Sequence, residues 1–179
     1  MVLHFHKVNR RSKDLQRIRK LYRTAFPPEE RAPFHRLIKG LRNGLADCWS
    51  IRHEEEWVGF VYAICDSNLV YLFFFAIDDP MRGKGYGHKV MAALKEHYQG
   101  KTIFLAREPL DPSADNAEQR LRRHAFYLSC GMVDLPRQII EFGVTYDVMS
   151  SGEMVDPEDY HALMLAYCGP RVCRLMQMQ

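Results

Sequence analysis

Apolar residues recur along this chain in two rhythms, and each predicts its own kind of element. Leu15, Ile18, Leu21, Tyr22 and Ala25 repeat at helical spacing, and Pro27-Pro28 must end the helix they form. Phe34, Leu37, Ile38 and Leu41 predict a second, short helix from about Pro33 to Asn43, with Gly44 beyond its end. Leu3, Phe5 and Val8 alternate as in a first strand, which places His4 and His6 on the other face as solvated or satisfied histidines rather than metal ligands. Further strands are predicted at Cys48 to His53, Trp57 to Cys65 and Leu69 to Ile77, with Asp66-Ser67-Asn68 as the turn between the last two. Helical spacing returns at Val90, Met91, Leu94 and Tyr98 and stops at Gly100. Thr102 to Ala106 then reads as a short, nearly all-apolar strand, and Pro109 to Asn116 as a polar loop. A helix is expected from about Ala117 to Ser129, with Leu121, Ala125 and Leu128 as its apolar stripe. Two strands follow, near Gln138 to Phe142 and Thr145 to Ser150, with Gly143 at their turn. Pro157 opens a last helix bearing Tyr160, Leu163, Met164 and Tyr167, with Gly169-Pro170 as its stop.

Helices interrupting strands, with an antiparallel pair near the end, describe a mixed α/β sheet. The expected organisation is one domain over residues 1–150 and a helical extension, 151–179, packed on it. A dimer or partner contact is the alternative use of that last helix.

Composition narrows the class without identifying it. Hydrophobic residues at 47% and charged residues at 26% suit a soluble globular domain. The formal charge of +3 is small, and basic residues alternate with acidic ones except near Arg10 to Arg23 and Arg120 to Arg123, so no nucleic-acid partner is expected. Five cysteines form no C-x-x-C pair, and their odd number suits a reduced, cytoplasmic protein. The N-terminus has no apolar h-region, and the longest apolar run, Leu69 to Ile77, is far short of the ~20 residues of a membrane span.

The chemistry concentrates where Leu69-Val-Tyr-Leu-Phe-Phe-Phe-Ala-Ile77 meets Arg82-Gly-Lys-Gly-Tyr-Gly87 and a helix follows. Strand, glycine turn and helix form a phosphate cradle: glycines let backbone N–H groups approach an anion, and the helix N-terminus adds partial positive charge. A P-loop needs Ser or Thr after Gly-Lys, whereas Gly85 follows Gly83-Lys84. The dinucleotide fingerprint needs Gly-x-Gly-x-x-Gly and a later acidic residue on a second parallel strand, whereas these glycines alternate.

What remains, Arg-x-x-Gly-x-Gly from Arg82 to Gly87, resembles the acetyl-CoA pyrophosphate motif of the GNAT superfamily of N-acetyltransferases. A second element, Arg122-Arg-His-Ala-Phe-Tyr-Leu-Ser-Cys-Gly-Met132, resembles that family's other cofactor motif, a helix carrying Phe-Tyr and closed by a glycine. The resemblance covers about Leu3 to Ser150 and implies the GNAT fold, a mixed, mostly antiparallel central sheet with flanking helices. It implies acetyl-CoA as cosubstrate, bound by Arg82, Gly83, Lys84, Gly85, Tyr86 and Gly87. Phe75 matches the position whose N–H polarises the acetyl carbonyl, and Ile77 the position whose main chain pairs with pantetheine. Tyr127 matches the general acid that protonates the leaving thiolate. Its direction on the helix lies about 120° from the stripe of Leu121, Ala125 and Leu128.

The histone-type branch carries a glutamate four residues before the Phe75 position, where this chain has Tyr71. Glu108, just past its strand, is the replacement expected as general base, with a solvated loop carboxylate as the other reading. Asn116 is expected to cap the helix and, in the family, an Asn in this loop also touches pantetheine. Phe26-Pro-Pro-Glu-Glu-Arg31 falls where the family commonly walls the acceptor site, so Phe26, Glu29 and Glu30 are candidate substrate residues. The two glutamates also fit the acidic first turn of a helix.

The leading expectation is therefore N-acetyl transfer to a small-molecule amine, by a monomer or homodimer without a metal. A non-catalytic acyl-CoA-binding sensor with the same fold and a nucleotide-phosphate binder using Gly83 to Gly87 are the competing classes. Glu29, Glu30 and Glu108 would suit a polyamine or an aminoglycoside without singling either out.

Overall fold

The computed structural model describes residues 2–179. Its eight strands are β1 (His4–Lys7), β2 (Ala46–His53), β3 (Glu56–Cys65), β4 (Leu69–Ile77), β5 (Thr102–Arg107), β6 (Val133–Glu141), β7 (Val144–Ser150) and β8 (Met176–Met178). The helices are α1 (Leu15–Ala25), α2 (Phe34–Arg42), α3 (Tyr86–His97), α4 (Ala117–Ser129), α5 (Pro157–Cys168) and the short α6 (Pro170–Cys173). The strands form one sheet in the order β1-β2-β3-β4-β5-β7-β6-β8, in which β4 and β5 are parallel. The chain folds as two compact units, one holding residues up to Cys65 with Leu72–Leu94, the other Asp66–Tyr71 with Lys95–Gln179.

In the first unit, β1, β2 and β3 pair in antiparallel succession. The helical stripe of α1 buries Ile18, Leu21 and Tyr22. Tyr22 meets Phe26, Phe34 and Phe74 within an aromatic cluster, and its hydroxyl donates to the Ala32 carbonyl at 2.8 Å. The Tyr62 hydroxyl donates to the Leu37 carbonyl at 2.8 Å, which ties α2 to β3. Gly59 of β3 admits β4: a Cβ there would overlap the Ala76 carbonyl oxygen and lie 3.0 Å from the Ile77 Cα.

In the second unit, Leu69–Tyr71 of β4 pair with Thr102–Phe104 of β5, and β5 then pairs antiparallel with β7. Asp66 makes the turn before β4, its carboxylate accepting from the N–H groups of Asn68 and Leu69. The β6–β7 hairpin closes through Phe142 at φ 52° and Gly143 at φ 84°, the left-handed pair of a tight two-residue turn.

Three sequence expectations change. Strand β6 begins at Val133 rather than near Gln138, because its pairing with β7 accommodates Pro136 inside an irregularity between Asp134 and Gln138. The extension is not only helical: after α5, capped by Asp156 accepting from the Glu158 N–H, Pro170 starts α6 instead of merely ending α5. Strand β8 then adds to the β6 edge. Finally, the expected apolar stripe of α4 faces outward, with Leu121 58% and Leu128 45% exposed. Its inner side runs through Arg120, Arg123, His124 and Tyr127, a helical face of mainly polar residues that finds carboxylates rather than apolar neighbours.

Candidate active site

The first unit carries the candidate anion cradle. Strand β4 leads into a single 3-10 turn, Asp79–Met81, which Met81 anchors in the interior. The chain then passes Gly83 at φ 73° and Gly85 at φ 78°, values that a side chain would strain. A Cβ at either glycine would meet nothing within 4 Å, so the turn is bordered by open space where a ligand can approach its backbone. Helix α3 begins at once with Tyr86 and Gly87, and its first N–H groups have no partner one turn earlier within the helix. The Tyr86 side chain is buried, its hydroxyl 3.1 Å from His53 Nδ1, so what Tyr86 offers an anion is its backbone N–H.

Arg82 is exposed but engaged: Nε donates to the Ile77 carbonyl at 3.1 Å and the guanidinium pairs with Asp79 at 2.9 Å. The Ile77 carbonyl expected to face pantetheine is thus shared with Arg82, while Lys84 stays exposed beside the turn. Phe75 and Ile77 are half-buried, and Phe74, on the opposite face of the strand, is core. Phe26 packs edge-on against Phe74 at 4.9 Å. Glu29 and Glu30 lie in their own 3-10 turn, Pro28–Glu30, and not in the first turn of α2. A surface groove of this unit, about 790 Å³, is lined by Gln16, Arg19, Lys20, Arg23, Thr24 and Arg31, basic rather than acidic.

The second unit carries the candidate acid and base. Tyr127 is the buried residue of α4, and no described residue hydrogen-bonds its hydroxyl. Burial pushes its phenol up to about 12, with the nearby Arg123 charge pulling the other way. It is therefore fully protonated at neutral pH.

Glu108 is neither the free base nor the solvated carboxylate that its position just past β5 leads one to expect. One oxygen accepts from Asn116 and Arg120 at 3.0 Å each, and the other from Arg123 at 3.0 Å. With both oxygens bonded and two guanidinium groups alongside, this carboxylate organises the start of α4. Asn116 occupies the N-cap position but makes no side-chain cap bond, because its amide oxygen accepts from Arg120 Nε at 2.7 Å. The spacing of Arg120, Arg123, His124 and Tyr127 was the available signal for this inner face. Apolar residues one step around the helix masked it.

Family and structure comparisons bear on the fold that carries these residues. The model of the acetyltransferase (GNAT) family matches residues 15–132, and the chain belongs to that family. No curated protein sequence matched. Among solved structures, a Bacteroides thetaiotaomicron protein assigned to the GNAT acetyltransferases superposes with a TM-score of 0.75 at 23% identity, over 93% of this chain and 99% of that one. An aminoglycoside 6'-N-acetyltransferase complexed with coenzyme A superposes at 0.61 and 17% identity, over 87% and 100%. A spermidine N-acetyltransferase chimera from Vibrio cholerae gives 0.61 and 18%, over 83% and 93%. At these identities the likeness is one of fold, and it agrees with the observed mixed, mostly antiparallel sheet.

Proposed function

We propose that this protein transfers the acetyl group of acetyl-CoA to a primary amine of a small molecule by direct attack in a ternary complex. The observation that carries this reading is the turn Arg82 to Gly87, whose two left-handed glycines border open space at the start of α3. The diphosphate of acetyl-CoA is assigned to the backbone N–H groups of that turn, with Arg82 and Lys84 supplying positive charge nearby. The Phe75 N–H is assigned to the acetyl carbonyl oxygen, and the main chain at Ile77 to pantetheine. Membership of the acetyltransferase family, together with coenzyme A in an aminoglycoside-acetylating structural neighbour, supports acetyl-CoA as the cosubstrate.

Tyr127 is assigned to the departing sulfur. A thiol ordinarily titrates near 8.5, so complete proton transfer from a phenol at about 12 runs uphill by about 5 kcal/mol. The phenol acts first as a hydrogen-bond donor to the developing thiolate, and transfer completes as charge builds on sulfur. At the other end, an amine of ordinary pKa near 10.4 needs about 4–5 kcal/mol to lose its proton near pH 7. A proton acceptor is therefore part of the reaction, and Glu108, bound by two arginines, is not assigned to it.

Thermal unfolding with acetyl-CoA, CoA, ATP and NADP in separate samples tests the cosubstrate. Ligand at about 100 times its Kd adds about 2.7 kcal/mol, or roughly 5–10 °C for a chain of this size. A rise with the CoA species alone is expected, followed by thiol release when spermidine, kanamycin or simple alkylamines are added with acetyl-CoA. A rise only with ATP or NADP would overturn the reading. CoA binding without thiol release for any amine would leave an acyl-CoA-binding module.

A further inference from the structure

The basic groove of the first unit has no part in the acetyl transfer as assigned above. Gln16, Arg19, Lys20, Arg23 and Thr24 sit on α1 at intervals of three and four, so they share one exposed face of the helix. Ile18, Leu21 and Tyr22, the residues that α1 buries, point the opposite way. The groove thus opens on the side of α1 turned away from the Tyr22–Phe74 contact that seats the helix on β4. Arg31 joins from beyond the 3-10 turn Pro28–Glu30, its Nη1 donating to the Arg23 carbonyl at 3.3 Å.

Four of the six lining side chains are cations and none is an acid. Among the described residues, no ion pair includes Arg19, Lys20, Arg23 or Arg31. Elsewhere, Arg52, Arg82, Arg107, Arg120, Arg122 and Arg123 each hold a carboxylate. Helix α1 contains no acidic residue, and the acid just before it, Asp14, is taken by Ser50 and Arg52. Glu29 and Glu30 precede Arg31 in sequence but do not line the groove. Arg19 and Arg23 are four apart and Lys20 and Arg23 three apart, an arrangement of like charges that costs a helix stability. Two of the cations are nonetheless held in place, Arg19 over the Phe34 ring at 5.8 Å and Arg31 by the Arg23 carbonyl. Guanidinium groups preset in this way and left unneutralised are suited to bidentate capture of phosphate oxygens.

We propose that this groove binds a small molecule carrying two or more phosphate groups, at a site separate from the glycine turn. The inference goes beyond the acetyltransferase reading and does not depend on it. Charge and size together choose the ligand class. A phosphate monoester brings about −1.5 to −2 at pH 7, so two of them match the four cations, whereas carboxylates would need to be twice as many. The basic face runs from Gln16 to Thr24, about 12 Å at about 1.5 Å per residue. A groove of about 790 Å³ falls within the about 300–1,000 Å³ of small-molecule sites. A protein bound to nucleic acid makes about 6–10 phosphate contacts, more than this short face can supply.

The test is calorimetric titration of the full-length protein with inorganic tripolyphosphate, alone and with saturating CoA. One equivalent should bind at about 0.01 M salt, where charges act over about 30 Å, and binding should be lost at about 1 M, where their range is about 3 Å. CoA should not displace it. Arg19→Gln/Arg23→Gln should weaken binding at least about 10-fold, because charged hydrogen bonds to the anion are lost. Lys20→Gln should weaken it by a smaller factor, and it decides the matter if the double variant fails to fold. Arg10→Gln/Arg11→Gln removes the same charge from exposed residues outside the groove and should bind as the wild type does. No binding, displacement by CoA, wild-type affinity in the groove variants, or an equal loss in the Arg10 and Arg11 variant would overturn the site. So would tighter binding of citrate or of a single-stranded oligonucleotide, the first pointing to a carboxylate ligand and the second to a nucleic-acid surface. A protein that binds tripolyphosphate in this groove and does not bind CoA would fail the acetyltransferase reading alone.

Discussion

Tyr127 and Glu108 illustrate how little a residue type reveals until its neighbours are known. A tyrosine on α4 with an unengaged hydroxyl has no structural duty for that oxygen, so its removal should be mild for the fold and severe for the chemistry. Tyr127→Phe is expected to lower kcat by about 10- to 1,000-fold while leaving the Kd for acetyl-CoA within about twofold, measured by steady-state thiol release and calorimetric titration. Equal losses of affinity and turnover would make the phenol a packing group. Because burial pushes the phenol up to about 12, no loss of activity from its ionisation is expected below about pH 11. For Glu108 the expectation is the reverse. Glu108→Gln leaves Arg120 and Arg123 without a carboxylate, so it should lower Tm more than it lowers kcat at 25 °C. A Glu108→Gln protein of wild-type stability with kcat near zero would restore Glu108 as the base.

At the scale of elements, most of the fold was legible because local signals and burial agree. Helix α1 ends where Pro27-Pro28 requires, and the turn Asp66-Ser67-Asn68 uses its aspartate as turn chemistry dictates. Legibility failed where neighbours distant in sequence decide the matter. Strand β8 is three residues, Met176 to Met178, too short to show alternation, and exists because the β6 edge is there to receive it. On α4, Leu121 and Leu128 are exposed because Glu108 and Asp134 draw the charged face inward. Of the candidate site, the glycine turn was readable because glycine has one physical use there. Outside that site, the buried cluster at Glu141 was not readable, since nothing in its sequence position announces that two phenols converge on it.

Gly59 was likewise silent in the sequence, yet the approach of β3 to β4 depends on it. A methyl group there would strike the Ala76 carbonyl, which is backbone and cannot rotate away. Gly59→Ala is expected to destabilise the protein by about 1–3 kcal/mol and to weaken acetyl-CoA binding, since β4 must shift at Ala76 and Ile77. Chemical denaturation and calorimetric titration measure the two effects, and wild-type values for both would show that the strands yield without consequence.

For the whole molecule, three carboxylates set opposite slopes of stability against pH. Burial alone would raise Asp14, but the hydroxyl of Ser50 and the guanidinium of Arg52 outweigh it, and its pKa falls below the usual 3.8. Asp134 behaves alike, burial being outweighed by Arg107 and His124. For such depressed groups the contribution to stability is present above pH 3.8 and is lost as pH falls through the lower folded value. Glu141 has the opposite sign. Its folded value of about 7 exceeds the ordinary 4.5, so the folded state holds the proton more tightly, and stability is lost as pH rises from 4.5 through 7. The full loss is about 3 kcal/mol, roughly 5–10 °C in Tm for a chain of this size. The melting temperature should therefore peak near pH 5, decline towards pH 8, and collapse below about pH 3.5. In Glu141→Gln the decline between pH 5 and 8 should disappear, making the variant more stable than the wild type at pH 8. Asp14→Asn should instead lower Tm at pH 5 and approach the wild type near pH 3. Parallel melting curves for the wild type and Glu141→Gln across that range would mean that the Glu141 carboxyl titrates as an ordinary surface group.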